Sequence, residues 1–246
     1  MFDDCVLLVY SHSEYHDVLV ACLSRLLKHF VPMKMALCID NATAIKEHFK
    51  GRLEFAYVHE YVDNGPYFYQ RLAPLLEKIE EPYVLFNMDN NILIDDVKVD
   101  ILQEAYQTMK EKNIDHFHLM TGGIRLSDTQ EKYYFQATSI YLMSVLTAFW
   151  KRSSFLTLSK EFSGHNFRCS ECPAIQDFMR NHFKCYCLVP NDEKNLCPFD
   201  YTFNDIYPAI HAVTHRRWSI PPSQKHHIHV ISYEYSIDLN KLGTIV

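Results

Sequence analysis

Apolar residues along this 246-residue chain switch between two spacings. Val6-Leu7-Leu8-Val9-Tyr10 is an unbroken apolar run, the pattern of a strand buried on both faces. Residues 15 to 30 then take helical spacing, with Val18, Leu19, Cys22, Leu23, Leu26, Leu27 and Phe30 on one side. The alternation repeats. A strand is expected over Lys34 to Ile39, closed by Asp40-Asn41, and a short helix starts near Ala42. Phe55 to Val58 reads as a third strand and Asp63-Asn64-Gly65-Pro66 as a turn. Tyr67 to Ile79 forms an amphipathic helix, followed by the strand Tyr83-Val84-Leu85-Phe86 and a helix over Val97 to Lys112. Strands alternating with helices at this spacing indicate βαβ units in an α/β fold with a mainly parallel sheet flanked by helices.

The second half has a different pattern. His116 to Met120 and Tyr133 to Ala137 suggest antiparallel strands. Helices are expected over Leu142 to Trp150, near Ser153 to Leu158, and over Ala174 to His182 after Pro173. The tail holds Tyr207 to His211, Trp218 and the run His226-His227-Ile228-His229. No repeat, low-complexity tract or linker interrupts the chain, so one domain over 1–246 is expected.

Composition narrows the function. A net charge of -6, with Lys and Arg in pairs rather than tracts, disfavours nucleic acid as a partner. With Gly at only 6, a glycine-rich phosphate loop is not expected. No run reaches the ~18 apolar residues of a membrane span. The acidic start Met1-Phe2-Asp3-Asp4 leads straight into a strand, so a cytoplasmic chain without a secretory signal is expected. Cys5, Cys22 and Cys38 read as core residues. Cys169-x-x-Cys172 and Cys185-x-Cys187, with His165 and His182 nearby, form either a structural zinc site or a set of free thiols. Cys185 to Val189 also reads as a strand.

The most informative segment is Asn87-Met88-Asp89-Asn90-Asn91, directly after the Tyr83 to Phe86 strand. Side-chain oxygens at the C-terminal end of such a strand lie where open α/β sheets bind ligands. Oxygens around a carboxylate suit a hard divalent cation and, through it, a diphosphate. An Asn-rich turn has the same composition.

In order along the chain, these segments resemble the GT-A family of nucleotide-sugar glycosyltransferases. The narrower likeness is to small enzymes of large DNA viruses of algae and amoebae and to related bacterial enzymes. The likeness rests on Val6 to Ser13, on Gly65 to Ile79 with Arg71, and on Tyr83-Val84-Leu85-Phe86-x-x-Asp89 at the place of the family's acidic metal motif. It continues through Gln136 to Phe155 with Trp150-Lys151-Arg152, Pro173-x-x-x-Asp177, and Tyr207 to Val213 with Arg217-Trp218. The family's motif carries two acids where this chain has Asn87-Met88-Asp89, so weaker metal binding is expected.

The resemblance implies a nucleotide-binding half over about 1–96 and an acceptor-binding half over about 97–246. It also implies sugar transfer from a UDP- or GDP-sugar to an oligosaccharide or glycoprotein acceptor, assisted by Mn2+ or Mg2+. The metal ligands expected are Asp89 and Asn91, with a tail histidine from His226, His227 and His229. Ser11, His12, Ser13, Asp40, Asn87 and Asp89 are expected to hold the donor, with Arg71 and Arg152 near phosphate. For an inverting transfer Asp177 is the expected general base, with Glu171 second. Trp150 and Gln136 are expected on the acceptor side, where aromatic rings stack on sugars. A nucleotidyltransferase shares this logic but wants a basic, glycine-rich loop after the first strand. Tyr10 to Tyr15 contains neither Gly nor Lys. A catalytically inactive carbohydrate- or nucleotide-binding module is the third possibility.

Overall fold

The computed structural model describes residues 2–30, 33–65, 67–119, 126–131, 134–137, 142–165, 172–188, 206–214, 217–220 and 224–245. The first half alternates as the apolar spacing predicts. β1 (Cys5–Tyr10), α1 (His16–His29), β2 (Met35–Ile39), α2 (Thr43–His48), β3 (Tyr57–Glu60), α3 (Phe68–Lys78) and β4 (Tyr83–Met88) follow in order. Then come β5 (Asn91–Leu93), α4 (Val99–Glu111), β6 (His116–His118), β7 (Leu126–Glu131) and β8 (Tyr134–Ala137). The remainder is β9 (Ala148–Lys151), α5 (Arg152–Glu161), α6 (Pro173–His182), β10 (Cys185–Leu188), β11 (Ala209–His211), β12 (Val213–Thr214), β13 (Arg217–Ser219), α7 (Lys225–Glu234) and β14 (Thr244–Ile245).

Nine strands form the central sheet in the order β3-β2-β1-β4-β9-β6-β10-β8-β7. β1 is parallel to β2 and β4, and β2 to β3; β9 runs antiparallel between β4 and β6, and β8 antiparallel between β10 and β7. The sheet is mixed and mainly parallel. All six residues of β1 are buried because both faces are covered. Leu7 and Val9 face the core made with α1 and α4, while Val6, Leu8 and Tyr10 face the core made with α3, α5 and α6. A two-stranded sheet pairs β5 with β11, and a three-stranded sheet joins β12, β13 and β14.

Three sequence expectations are corrected. The third strand is Tyr57–Glu60, two residues later than read. No helix forms over Leu142 to Trp150: residues 142–147 have no regular structure and Ala148 to Trp150 is strand. An apolar run this short satisfies either period. Its hydrogen-bond partners, Tyr83 to Phe86 and His116 to His118, decide the matter from outside the segment. The histidine run 226–229, read only as part of a tail, is the first turn of α7, anchored by buried Ile228 and Ile231.

Candidate active site at the ends of β1 and β4

The sheet order places β1 between β2 and β4, which lie on opposite sides of it. In open α/β sheets such a reversal opens a crevice at the carboxyl ends of the strands. The Asp89 N–H donates to the Tyr10 carbonyl at 3.1 Å, and Ser11 Oγ donates to Asp89 Oδ2 at 2.6 Å. This bond ties the two strand ends together across 78 residues of sequence.

Around it the loop after β1 is ordered by its own side chains. The Glu14 N–H donates to His12 Nδ1 at 3.1 Å, capping the single 3-10 turn Ser13–Tyr15. Nδ1 is therefore the acceptor, and Nε2 carries the hydrogen donated to Asp63 Oδ2 at 3.1 Å. Asp40 accepts from the Ser13 N–H at 2.6 Å and from Ser13 Oγ at 2.5 Å. Burial raises the Asp40 pKa, but the two Ser13 bonds outweigh it and hold the carboxyl below the usual aspartate range. Asp40 does not cap α2: Asn41 Oδ1 takes the Thr43 N–H at 3.0 Å and Glu60 takes the Ala42 N–H at 2.7 Å. The Asp40 carboxylate is thus committed to the β1 loop.

Arg71 enters from α3. Its guanidinium lies 4.3 Å from the Tyr61 ring centre and donates to Tyr10 Oη at 3.1 Å, to Asp63 and to the Gly65 carbonyl. Gly65 has φ 137°, and a Cβ there would meet Tyr67 at 2.8 Å, so glycine is required beside the arginine. Tyr61 stacks on Tyr10 at 5.8 Å and donates its hydroxyl to the Ser11 carbonyl at 2.8 Å. Ser11, His12, Ser13, Asp40, Arg71 and Asp89 therefore come together as expected. Tyr61 and Asp63 complete the group. The sequence offered only an aromatic and an acid ahead of the Asn64-Gly65 turn.

Asp89 is the buried acid at the centre, 5% exposed. Burial pushes its pKa up to about 7 despite the bonds from Ser11 and the Asn90 backbone. Its neighbours divide unevenly. Asn87 is fully committed: Oδ1 accepts from Thr147 Oγ1 at 2.5 Å, and Nδ2 donates to the carbonyls of Met88 at 2.8 Å and Asn91 at 3.1 Å. It braces the turn and is not a donor ligand. Thr147→Val leaves the buried Asn87 oxygen unpaired and is expected to cost about 1–3 kcal/mol in urea unfolding. Asn91 is also committed, its Oδ1 to His211 Nδ1 at 3.0 Å and its Nδ2 to the Val145 carbonyl at 3.4 Å. Asn90, which the sequence reading passed over, differs. Its Nδ2 donates to the Val213 carbonyl at 2.8 Å, and its Oδ1 is buried without a hydrogen-bond partner.

Asn90 directly follows Asp89 in the turn after β4. His211, on β11 opposite Asn91, has its pKa lowered to about 4 by burial and is neutral. A carboxylate, an amide oxygen and a neutral imidazole are ligand types that suit Mn2+ better than Mg2+, but the His211 ring is engaged at both nitrogens, Nδ1 donating to Asn91 Oδ1 at 3.0 Å and Nε2 accepting from Asn90 Nδ2 at 3.4 Å. His227 lies beside Arg25 and Asp95, where burial and its cationic neighbours lower its pKa. His226 and His229 are exposed on α7. Helix α7 is tied through Glu234 to Arg25 and Lys28 in the later turns of α1, away from the Ser13 end. A further acidic cluster there, His29, Asp95 and Asp96, has ligand atoms within 4.8 Å of one another. His29 Nδ1 faces Asp96 Oδ1 at 2.8 Å and Nε2 faces the Arg25 guanidinium at 3.0 Å, so both ring nitrogens are engaged.

Other expected residues lie elsewhere. Arg152 donates to the carbonyls of Glu81 and Leu76, both at 3.1 Å, and so closes the C-terminus of α3 rather than reaching phosphate. Trp150 is fully buried between His116 and Phe155, with ring centres at 3.8 and 4.5 Å, and offers no face to a sugar. Asp177 is exposed on α6 and paired with Arg180. Gln136 lies on β8, its side chain outside what the structure describes, and Glu171 and Cys169 lie outside the described residues.

The fold has solved counterparts. S. aureus TarS in complex with UDP superposes with a TM-score of 0.50 at 15% identity, over 76% of this chain and 58% of that one. CMP:2-keto-3-deoxy-manno-octonic acid synthetase complexed with CTP gives a TM-score of 0.50 at 8% identity, over 76% of this chain and 89% of that one. No family model matches the chain, and no curated protein matches it. This chain spans less than two thirds of the TarS structure. At these identities the likeness shows the fold, a GT-A-like, Rossmann-related α/β fold. Among the described residues no helix is long and apolar enough to cross a membrane.

Proposed function

We propose that this chain is a glycosyltransferase that moves a sugar from a UDP- or GDP-sugar to an oligosaccharide or glycoprotein acceptor. The observation that carries this reading is the Ser11–Asp89 bond at the sheet's reversal point, flanked by His12, Ser13, Asp40 and Arg71. The two structural counterparts were solved with UDP and CTP, which supports a nucleotide as ligand.

In this reading Asp40 and Ser13 take the ribose or base, since a carboxylate held ionised accepts from hydroxyls and N–H groups. Arg71 faces the anionic part of the donor, its planar guanidinium already oriented by Tyr10 and Tyr61. Asp89 and Asn90 would hold a divalent cation, joined by His211 if its Nε2 gives up the Asn90 amide, and the cation would supply Lewis-acid stabilisation of the diphosphate leaving group. Transfer with inversion needs a carboxylate to take the acceptor proton, and Asp177 and Glu171 are the candidates.

A panel of nucleotide sugars with and without Mn2+ tests the reading. Metal-stimulated donor hydrolysis is expected; no hydrolysis and no thermal shift with any nucleoside diphosphate would overturn it. Asp177→Asn is expected to abolish transfer and leave donor binding intact, and unchanged turnover removes Asp177 from the role. A nucleotidyltransferase is the second reading, favoured by the 89% coverage of the CTP-bound synthetase. Release of pyrophosphate from a nucleoside triphosphate and a sugar, in place of nucleoside diphosphate from a nucleotide sugar, distinguishes it.

A further inference from the structure

β6 and β10 carry a set of metal-binding side chains that the proposed activity does not use. The two strands are parallel, with Cys185 opposite His116 and Cys187 opposite His118. Residues two apart on a strand share a face, as do directly paired residues on neighbouring strands. The four side chains therefore form a two-by-two square on one face of the sheet. Both cysteines belong to the core lined by Trp150, Phe155, Ile175 and Met179. All four residues are buried, His116, His118 and Cys187 completely.

The polar atoms of the square are poorly used. His118 Nδ1 has no hydrogen-bond partner, and neither ring nitrogen of His116 has one in good geometry, its nearest backbone acceptor being at Leu142. His118 Nε2 donates to the Leu142 carbonyl at 2.8 Å. The thiols have only long contacts to nearby carbonyls, Cys185 to Phe183 at 3.8 Å and Cys187 to Leu188 at 3.5 Å. Buried nitrogens without partners are rare in folded proteins and call for a physical explanation. Burial also keeps both imidazoles neutral, the form that binds a metal.

We propose that His116, His118, Cys185 and Cys187 form a buried structural site for one zinc-type divalent ion, clamping β6 to β10. Two thiolates and two imidazoles are a tetrahedral zinc ligand set. No three of the four ligand atoms lie within 4.8 Å of one another, so the side chains must re-orient to bind. The His116 ring lies on Trp150 at 3.8 Å and must turn away from it to bind. Both thiols must also deprotonate: one divalent ion joins two Cys–SH groups and two neutral imidazoles, and two protons leave. Because the face is covered by α5 and α6, uptake belongs to folding rather than to the finished protein. The site is independent of the glycosyltransferase reading.

Refolding the whole chain with cobalt(II) alone provides the test. The expected result is one retained equivalent after a chelator wash, with a thiolate-to-cobalt charge-transfer band, tetrahedral visible bands and two protons released per ion. The band should vanish in the double variant Cys185→Ser, Cys187→Ser and persist when His226, His227 and His229 are all changed to Gln. The chain has two tryptophans. In Trp218→Phe the remaining emission reports Trp150 and should change on metal uptake. If the cysteine variant does not fold, the proton count and the Trp150 signal decide. Less than one retained equivalent, a band that survives the cysteine changes, or a silent Trp150 overturns the proposal.

Discussion

Asp89→Asn is expected to reduce nucleotide-sugar turnover about a hundredfold or more while making the protein more stable in mildly alkaline solution. The activity loss follows from removing the only carboxylate among Asp89, Asn90 and His211. The stability gain follows from the position of the group. Its folded pKa is raised from 3.8 to about 7, with burial as the main cause. Between these values the folded chain keeps a proton that the unfolded chain has lost. Stability therefore falls as pH rises through this window and levels off above it. At 1.36 kcal/mol per pKa unit the full span is roughly 4 kcal/mol. Asparagine has no such slope. Urea midpoints at pH 4.5 and pH 8 should thus diverge between the two proteins in favour of the variant. Parallel pH curves would show that Asp89 is not the buried, uncompensated acid described above.

Trp150→Ala is expected to destabilise the protein by about 3–5 kcal/mol, the cost of emptying a fully buried aromatic site. The ring bridges β9 to α5 through Phe155 and to β6 through His116, so its loss leaves a cavity that rigid strands do not close. Trp150→Phe keeps most of that packing and removes a buried indole N–H that has no hydrogen-bond partner, so a much smaller cost is expected. Thermal denaturation of the two variants checks the pair. If the phenylalanine variant were stable yet had a greatly raised acceptor KM, Trp150 would be reaching substrate after all.

The parallel strands of the first half could be read from sequence because strands covered on both faces must be apolar at every position. β1, β2 and β4 meet that condition almost without exception. The loop residues Ser11, His12, Ser13 and Asp40 could be read for a related reason: they are the first polar side chains past buried strand ends. The amides could not be sorted that way. Asn87, Asn90 and Asn91 look alike within one turn, and partners 54 to 123 residues away decide which are committed. His211 was obscured similarly. Three histidines at 226–229 gave the stronger local pattern, but the β5–β11 pairing sets His211 opposite Asn91. Trp150 was misassigned together with its strand. Read as the end of a helix it can face outward, whereas on β9 it points into the core beneath α5.

The reversed strand β9 has a consequence for the chain during synthesis. β1 to β4 and their helices are complete by residue 88, but the outer edge of β4 is covered only when Ala148–Lys151 arrives. Until then Tyr83 to Phe86 presents an open row of backbone donors and acceptors on an apolar strand, a template for edge-to-edge association. A chain stopped short of residue 148 therefore contains the loop after β1 and lacks the strand that covers the edge of β4. Solubility of this protein is thus decided in its second half, by four residues that pair on both sides.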